Sequence, residues 1–172
     1  MFRNALIATG LALAATAAFA PISADARTKA RASTCPSISI LADASRVAVM
    51  DGSKVELKAE IVKPELGCAV GKSSARANLT FMVKGAIAPE AAIEPRTVPY
   101  FVAVISGGKV IEKEVFDLKL PFDGKDRTLF VKESVARIDI PIQPGTSADD
   151  YSVTIGFQLT EAQLAWNRSS TR

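Results

Sequence analysis

The chain has 172 residues, a net charge of +3 at neutral pH, two cysteines and no histidine. A charge this small, with no run of Lys and Arg along one face, argues against nucleic acid as a partner. The missing histidine removes the commonest general base, and two cysteines alone do not make a closed metal site. The composition therefore favours neither an enzyme nor a protein with a metal or cofactor.

Residues 1–26 have the composition of a secretory signal peptide. Arg3 supplies a short positive region, residues 5–19 are apolar, and Pro21 precedes a run of small residues. A retained membrane anchor is the alternative, but about 15 apolar residues fall short of the ~20 that span a bilayer. We expect export to the periplasm by the general secretory route.

The cleavage site has two candidates. Cleavage after Ala20 would leave Pro21 behind the cut, which is unfavourable, whereas cleavage after Ala26 leaves Arg27. We expect the second, followed by a basic, flexible arm over residues 27–34 and a single domain over residues 35–172. The arm contains three cations that offer limited contact with an anionic membrane surface: Arg27, Lys29 and Arg31.

The two cysteines, Cys35 and Cys68, predict one structural disulfide, because an even number of cysteines in an oxidising compartment pairs in this way. The alternatives are lipidation of Cys35 and a metal or redox role. Residues 32–34 lack the pattern of a lipoprotein signal, so anchoring in the outer membrane is not expected.

Alternation of apolar and polar residues recurs along the rest of the chain and indicates half-buried strands separated by turns. Pro64 is expected to end the third of them, and residues 85–97 to form an exposed connection. The predicted strands lie at residues 38–40, 47–49, 55–61, 79–83, 100–105, 111–120, 129–132, 135–142 and 151–159.

Gly107-Gly108 predicts a tight hairpin turn between two of these strands. The apolar residues of the second arm change from odd to even numbers near Val115 and Phe116, which indicates a bulge or a change of sheet there. The predicted opposite pairs are Ser106 with Lys109, Ile105 with Val110, Val104 with Ile111, and Val102 with Lys113.

A short helix is expected near Glu161, since Thr160 and Gln163 have the spacing of a capping box. Trp166, the sole tryptophan, lies on it. We expect this ring to pack over an open end of the fold rather than to stack on a ligand. Together, the segments predict an antiparallel immunoglobulin-like β-sandwich with a short C-terminal helix, and a small closed barrel is the alternative.

Four motifs resemble catalytic or metal-binding sequences without their context. Residues 67–73, GCAVGKS, lack one residue of a phosphate-binding loop, and residues 106–109 place Ser-x-x-Lys on a hairpin turn rather than on a helix. Asp149-Asp150 and the pair Asp123 and Asp126 have too few ligands for calcium. We assign no catalytic, cofactor-binding or metal-binding residue.

One combination of residues suggests a surface for a partner. If Val102, Val104, Ile111 and Val115 face the core, the opposite face of the hairpin mixes apolar and acidic side chains. Burial of that face by another element is the alternative. The residues of this predicted patch are Phe101, Ile105, Val110, Glu112 and Glu114.

Several short segments resemble an uncharacterised family of small exported proteins, periplasmic or lipoprotein-like, from alphaproteobacteria. They are Cys35-Pro36, residues 40–44, Cys68, residues 100–104, residues 113–116, and an ending that combines residues 156–160 with Gln163-Leu164 and Asn167-Arg168. The resemblance implies an exported protein and a fold, and no activity.

The sequence as a whole predicts a non-enzymatic periplasmic module that binds a protein or an envelope component through a sheet face or edge. Two alternatives remain open: a structural role in envelope integrity, and an envelope hydrolase that uses carboxylates such as Glu112 and Glu114.

Overall fold

A computed structural model of the protein describes residues 34–169, and the regular structure of this part is mainly β-strand. Two short 3-10 turns, Ala42–Ala44 and Ala148–Asp150, connect strands, and the helix α1 spans Glu161–Ser169. The strands are β1 (Ser37–Ile40), β2 (Arg46–Asp51), β3 (Lys54–Val70), β4 (Ser74–Ile87), β5 (Arg96–Ser106), β6 (Lys109–Leu120), β7 (Thr128–Pro141) and β8 (Tyr151–Phe157).

The strands form two four-stranded sheets. Sheet A has the order β1-β8-β5-β6 and sheet B the order β2-β3-β4-β7. All neighbours are antiparallel except β1 and β8, which run parallel. The chain passes between the sheets four times, and each pass places consecutive strands on opposite sides of one core. The predicted two-sheet β fold with a C-terminal helix is confirmed.

The core lies between the sheets and is built from alternate residues of facing strands. On β4 the buried residues include Leu79, Phe81 and Val83, whereas Thr80 and Met82 between them point outward. The ring of Tyr100 on β5 lies 5.3 Å, centroid to centroid, from both Phe81 and Phe116. Aromatic contacts of this kind stabilise a core beyond the apolar area they bury, so these residues join sheet B to sheet A.

A disulfide between Cys35 and Cys68 confirms the predicted pairing, with the two Cα atoms 5.7 Å apart. Cys35 lies two residues before the start of β1 in sheet A, and Cys68 lies within β3 of sheet B. The bond therefore links the two sheets covalently at the edge where β1 lies.

The strand β3 does not end at Pro64 as expected from the sequence. Lys63 adopts a positive φ of 50°, and the pairing with β4 shifts between Val62 and Glu65. The resulting bulge takes up Pro64, which has no N–H to donate to the sheet. The strand then continues to Val70 and carries Cys68 to its partner.

The strand β7 is likewise one long strand where the sequence predicted two. Arg137 has a positive φ of 62°, and the pairing with β4 shifts opposite Asn78. The side-chain oxygen of Asn78 accepts a hydrogen bond from the backbone N–H of Arg137 at 3.2 Å. The bond satisfies a backbone N–H group that the bulge leaves without a backbone partner on β4. The strand β7 therefore continues beyond the bulge.

The Gly107-Gly108 turn forms as predicted, and both glycines have positive φ. The first two predicted pairs, Ser106 with Lys109 and Ile105 with Val110, are confirmed. The bulge lies closer to the turn than expected, because Val104 pairs with Glu112 and leaves Ile111 without an opposite residue. The predicted bulge near Val115 and Phe116 is therefore wrong, and this difference changes which residues share a face.

Candidate functional site

The helix α1, which forms one wall of the candidate site, begins with a capping box. The backbone N–H of Thr160 donates to the side-chain oxygen of Gln163 at 2.9 Å, and the N–H of Gln163 donates to the Thr160 hydroxyl at 3.3 Å. This reciprocal pair is a capping box, which satisfies two donors that a helix start leaves free. The predicted helix start at Glu161 is confirmed. No helix of residues 34–169 is long and apolar enough to cross a membrane.

Side-chain amides attach α1 to the edge of sheet B. Asn167 is 5% exposed, and its Nδ2 donates to the carbonyl oxygens of Asp43 at 2.9 Å and Arg46 at 2.7 Å. The Nε2 of Gln163 donates to the carbonyl oxygen of Ala48 at 3.2 Å. These bonds hold the helix along β2, the edge strand of sheet B.

A groove of about 440 Å³ lies between α1 and the outer face of sheet B. Its volume falls within the range of small-ligand sites. Leu57, Ala59 and Ile61 of β3 are buried in the core, so Lys58 and Glu60 between them point to the other face. The side chains that line the groove include Arg46, Lys58, Glu60, Lys84, Ala86 and Trp166.

The groove is basic. Three cations, Arg46, Lys58 and Lys84, line it together with one carboxylate, that of Glu60. Arg46 and Lys84 both lie directly opposite Glu60 on the neighbouring strands. One carboxylate among three cations leaves an excess of positive charge that attracts anions.

Trp166 forms the aromatic wall of this groove. The ammonium group of Lys58 lies 5.6 Å from the centroid of its ring, within the range of a cation–π contact. The indole is half-buried and lies beside the outer face of sheet B. The expectation that Trp166 covers an open end of the sandwich is therefore wrong, because α1 is bonded along the edge strand β2.

Such a groove is suited to binding. An indole face packs against flat apolar groups, and ammonium and guanidinium groups form charge-assisted hydrogen bonds with carboxylate or phosphate oxygens. Glu60 adds an acceptor for a ligand hydroxyl group. A ligand with a ring, a hydroxyl group and a negative charge would use all three kinds of contact.

A second cluster of polar groups faces inward from the edge strands β6 and β7. Glu112 and Glu114 lie opposite Val104 and Val102, and Glu133 lies opposite Phe81, so all three are on core-facing positions. Inward-pointing charges on edge strands discourage pairing with another sheet. We interpret these three carboxylates as groups that prevent the edge strands β6 and β7 from pairing with another sheet.

One member of this cluster binds a tyrosine. The hydroxyl of Tyr100 donates to Glu133 Oε1 at 3.3 Å. Burial of the phenol raises the pKa of Tyr100, and the negative charges of Glu133 and Glu114 raise it further. Tyr100 is therefore a neutral donor at physiological pH.

The predicted patch is divided between two faces. Phe101, Ile105 and Val110 lie on the outer face of sheet A, whereas Glu112 and Glu114 lie on the core-facing side, because the bulge occurs at Ile111. Phe101 is 9% exposed and packs with Ala44, Ala103 and Leu159. The expectation that these five residues share one face is wrong.

The outer face of sheet A carries a lysine in place of those acidic groups. Lys113 lies opposite Ala103, and its Nζ is 4.6 Å from the centroid of the Phe101 ring. The same Nζ donates to Gln158 Oε1 at 2.8 Å. Phe101 is thus enclosed by its own chain.

The motifs that resembled catalytic loops lie at two hairpin turns and in the strand ends beside them. Gly71 to Ser73 connect β3 with β4, and Gly107-Gly108 connect β5 with β6. Within residues 34–169, no three Cys, Asp or Glu side chains come close enough together to hold a metal ion. The basic residues Arg27, Lys29 and Arg31 lie outside the described part of the chain.

Apart from Trp166, the residues of the groove were not singled out from the sequence. Lys58 and Glu60 alternate with apolar residues, as polar residues do on any solvated strand face. Lys84 follows the same pattern at the end of its predicted strand. The one available signal was the helix, whose sole tryptophan is followed by an amide at Asn167. The sheet face that this helix approaches is decided by contacts between residues that are far apart in the sequence.

No protein-family model matches this chain, and neither a curated protein nor a solved structure matches it.

Proposed function

We propose that this chain is an exported, non-enzymatic binding module of the cell envelope and that its groove holds an anionic carbohydrate. The observation that carries the proposal is the combination of Trp166 with an excess of cations on one open sheet face. An indole accepts the apolar face of a sugar ring, while Lys58 and Lys84 are placed to bind a carboxylate or phosphate on the same sugar.

Export is supported by residues 1–26 of the sequence and by the disulfide. Structural disulfides persist mainly in oxidising compartments such as the periplasm, and the bond between Cys35 and Cys68 joins two sheets of this fold. The resemblance to exported proteins of alphaproteobacteria agrees with the same location. An immunoglobulin-like class for the sandwich is part of the proposal, supported by the repeated passage of the chain between its sheets.

The proposal is tested by calorimetric titration with soluble disaccharide muropeptides, whose peptide stems carry carboxylates, and with an uncharged chitin disaccharide, which has the same number of sugars and no peptide. We expect the muropeptide to bind and the chitin fragment to bind more weakly. Lys58→Ala and Lys84→Ala should each weaken muropeptide binding by roughly 5- to 30-fold, as expected for the loss of one charge-assisted contact of about 1–2 kcal/mol.

The matched control is Lys119→Ala, which removes an exposed lysine from sheet A, away from the groove. This variant should bind the muropeptide as the unaltered protein does. Equal losses in all three variants would indicate an effect of net charge alone, and an absence of muropeptide binding would refute the proposal.

A further inference from the structure

The basic face of sheet B extends beyond the groove to an exposed phenylalanine. Phe130 on β7 is 65% exposed, a larger fraction than for any other large hydrophobic residue in the described part of the chain. It lies directly opposite Lys84 of β4. Because opposite residues of neighbouring strands share a face, its ring lies on the same side of the sheet as the groove.

Four residues form a straight row across this face. Arg46 on β2 lies opposite Glu60 on β3, Glu60 lies opposite Lys84 on β4, and Lys84 lies opposite Phe130 on β7. Three steps between strands amount to about 14 Å at the usual spacing of neighbouring strands. The row therefore runs from the wall formed by α1 to the other edge of the sheet.

Positive charge continues along the same path. Lys132 lies two residues beyond Phe130 and opposite Met82, so it shares the outer face. Lys58, Lys84 and Lys132 occupy three neighbouring rows on this face, and all three are exposed. The surface has Trp166 at one end and Phe130 with Lys132 at the other, and Lys58 and Lys84 lie between them, so it is longer than one sugar ring.

We infer that the groove continues across sheet B to Phe130, and that its ligand is a linear anionic oligosaccharide lying across the strands. One part of the ligand packs on Trp166, a later sugar packs on Phe130, an acidic group between them contacts Lys84, and an acidic group beside the later sugar contacts Lys132. This inference rests on the proposed function, since it extends the same site and specifies the length of the ligand.

Comparison of glycan lengths tests the inference separately from the proposed function. We expect a muropeptide built on a tetrasaccharide to bind about tenfold more tightly than one built on a disaccharide. Phe130→Ala should remove that difference and leave the disaccharide affinity unchanged. Lys132→Ala should likewise weaken tetrasaccharide binding and reduce its dependence on salt.

Val115→Ala is the control, since Val115 is 50% exposed on sheet A and is not part of this face. It should change neither affinity. Because Phe130 is exposed, its loss should also leave the thermal unfolding midpoint close to that of the unaltered protein.

The two proposals fail in different ways. Equal affinity for the two glycan lengths, or tetrasaccharide affinity unaffected by Phe130→Ala, would overturn the extension and leave the groove intact. An absence of binding to either glycan would overturn the groove and the extension together.

Discussion

The side-chain amide of Asn167 lies 2.7 Å from the carbonyl oxygen of Arg46, and this bond connects the last turn of α1 to the first residue of β2. A second bond from the same amide reaches the carbonyl oxygen of Asp43. Both acceptors belong to the segment that leads into sheet B. The groove exists because these two hydrogen bonds of Asn167 hold Trp166 beside Lys58.

Asn167→Ala should destabilise the protein by about 1–3 kcal/mol, since it removes the donor from two part-buried carbonyl groups. It should also shift the Trp166 emission to longer wavelength as the helix loosens. Urea unfolding followed by fluorescence measures both effects. Arg168→Ala is the control, because its ion pair with Asp43 is exposed and should contribute less than about 1 kcal/mol. Equal destabilisation by the two variants would contradict this role of Asn167.

Gly156→Ala should destabilise the protein by about 1–3 kcal/mol through overpacking. A Cβ atom at this position would lie 2.9 Å from Cβ of Ala44 and 3.0 Å from the ring of Phe101. Gly67→Ala is a matched control, since a Cβ there meets no atom within 4 Å and the residue also lies in a strand. Thermal unfolding of the two variants measures the difference. A midpoint for Gly156→Ala as high as that for Gly67→Ala would contradict the close approach of Ala44.

Replacement of both Cys35 and Cys68 by alanine should lower the free energy of unfolding by about 3 to 4 kcal/mol. This is the loop-entropy value for cysteines 33 residues apart. Urea unfolding of the variant and of the oxidised protein measures the loss. The variant and the reduced unaltered protein should have similar stability, and a reduced protein as stable as the oxidised one would refute a structural role for the bond.

Tyr100→Phe should make stability less sensitive to alkaline pH. The pKa of Tyr100 is raised in the fold, so the folded protein keeps the phenol proton while an unfolded tyrosine loses it near pH 10. The unfolded state then binds fewer protons above that pH, and the stability contributed by the neutral phenol, complete below about pH 10, is lost as the pH rises.

Urea unfolding at pH 8 and pH 11 measures this effect. The unaltered protein should lose more stability between the two values than Tyr100→Phe does, because phenylalanine keeps the ring contacts with Phe81 and Phe116 without a titrating group. Lysine deprotonation affects both proteins alike, so the comparison isolates Tyr100. An equal loss in the two proteins would show that the Tyr100 phenol does not contribute.

Export predicts a mature protein that begins at Arg27. We expect the intact mass of the protein from a periplasmic fraction to correspond to residues 27–172 with the cysteines oxidised. A mass that corresponds to cleavage after Ala20 would correct the position of the cut. Recovery of the uncleaved chain from the cytosol would contradict export.

The alternating strands could be predicted from the sequence because one face of each lies in the core. In β8, Tyr151, Val153, Ile155 and Phe157 are all buried, as their spacing of two residues indicates. The capping box of α1 was also predictable, since Thr160 and Gln163 act within one helical turn. Local devices of this kind depend on residues that are neighbours in sequence.

The bulges could not be predicted in the same way. Lys63 and Arg137 adopt a left-handed backbone conformation that is uncommon for residues other than glycine. Neighbouring strands stabilise these conformations, as the bond from Arg137 to Asn78 illustrates. The bulge at Ile111 contains no such residue, and its position decided the face on which Glu112 and Glu114 lie.

The groove was the least predictable feature. Its cations come from β2, β3 and β4, and its aromatic wall comes from a helix more than 100 residues after β2. A solvated strand face and the face of a binding groove have the same sequence pattern. Only the docking of α1 through Asn167 distinguishes them.

The most direct test of the central claim is a titration of Trp166 fluorescence, because Trp166 is the only tryptophan in the chain. We predict a saturable change in emission when the mature protein is titrated with the soluble muropeptide. The change should require higher glycan concentrations in Lys58→Ala and at high salt. An emission that stays constant at muropeptide concentrations far above those of a specific site, or the same titration curve for Lys58→Ala, would contradict a binding groove between α1 and sheet B.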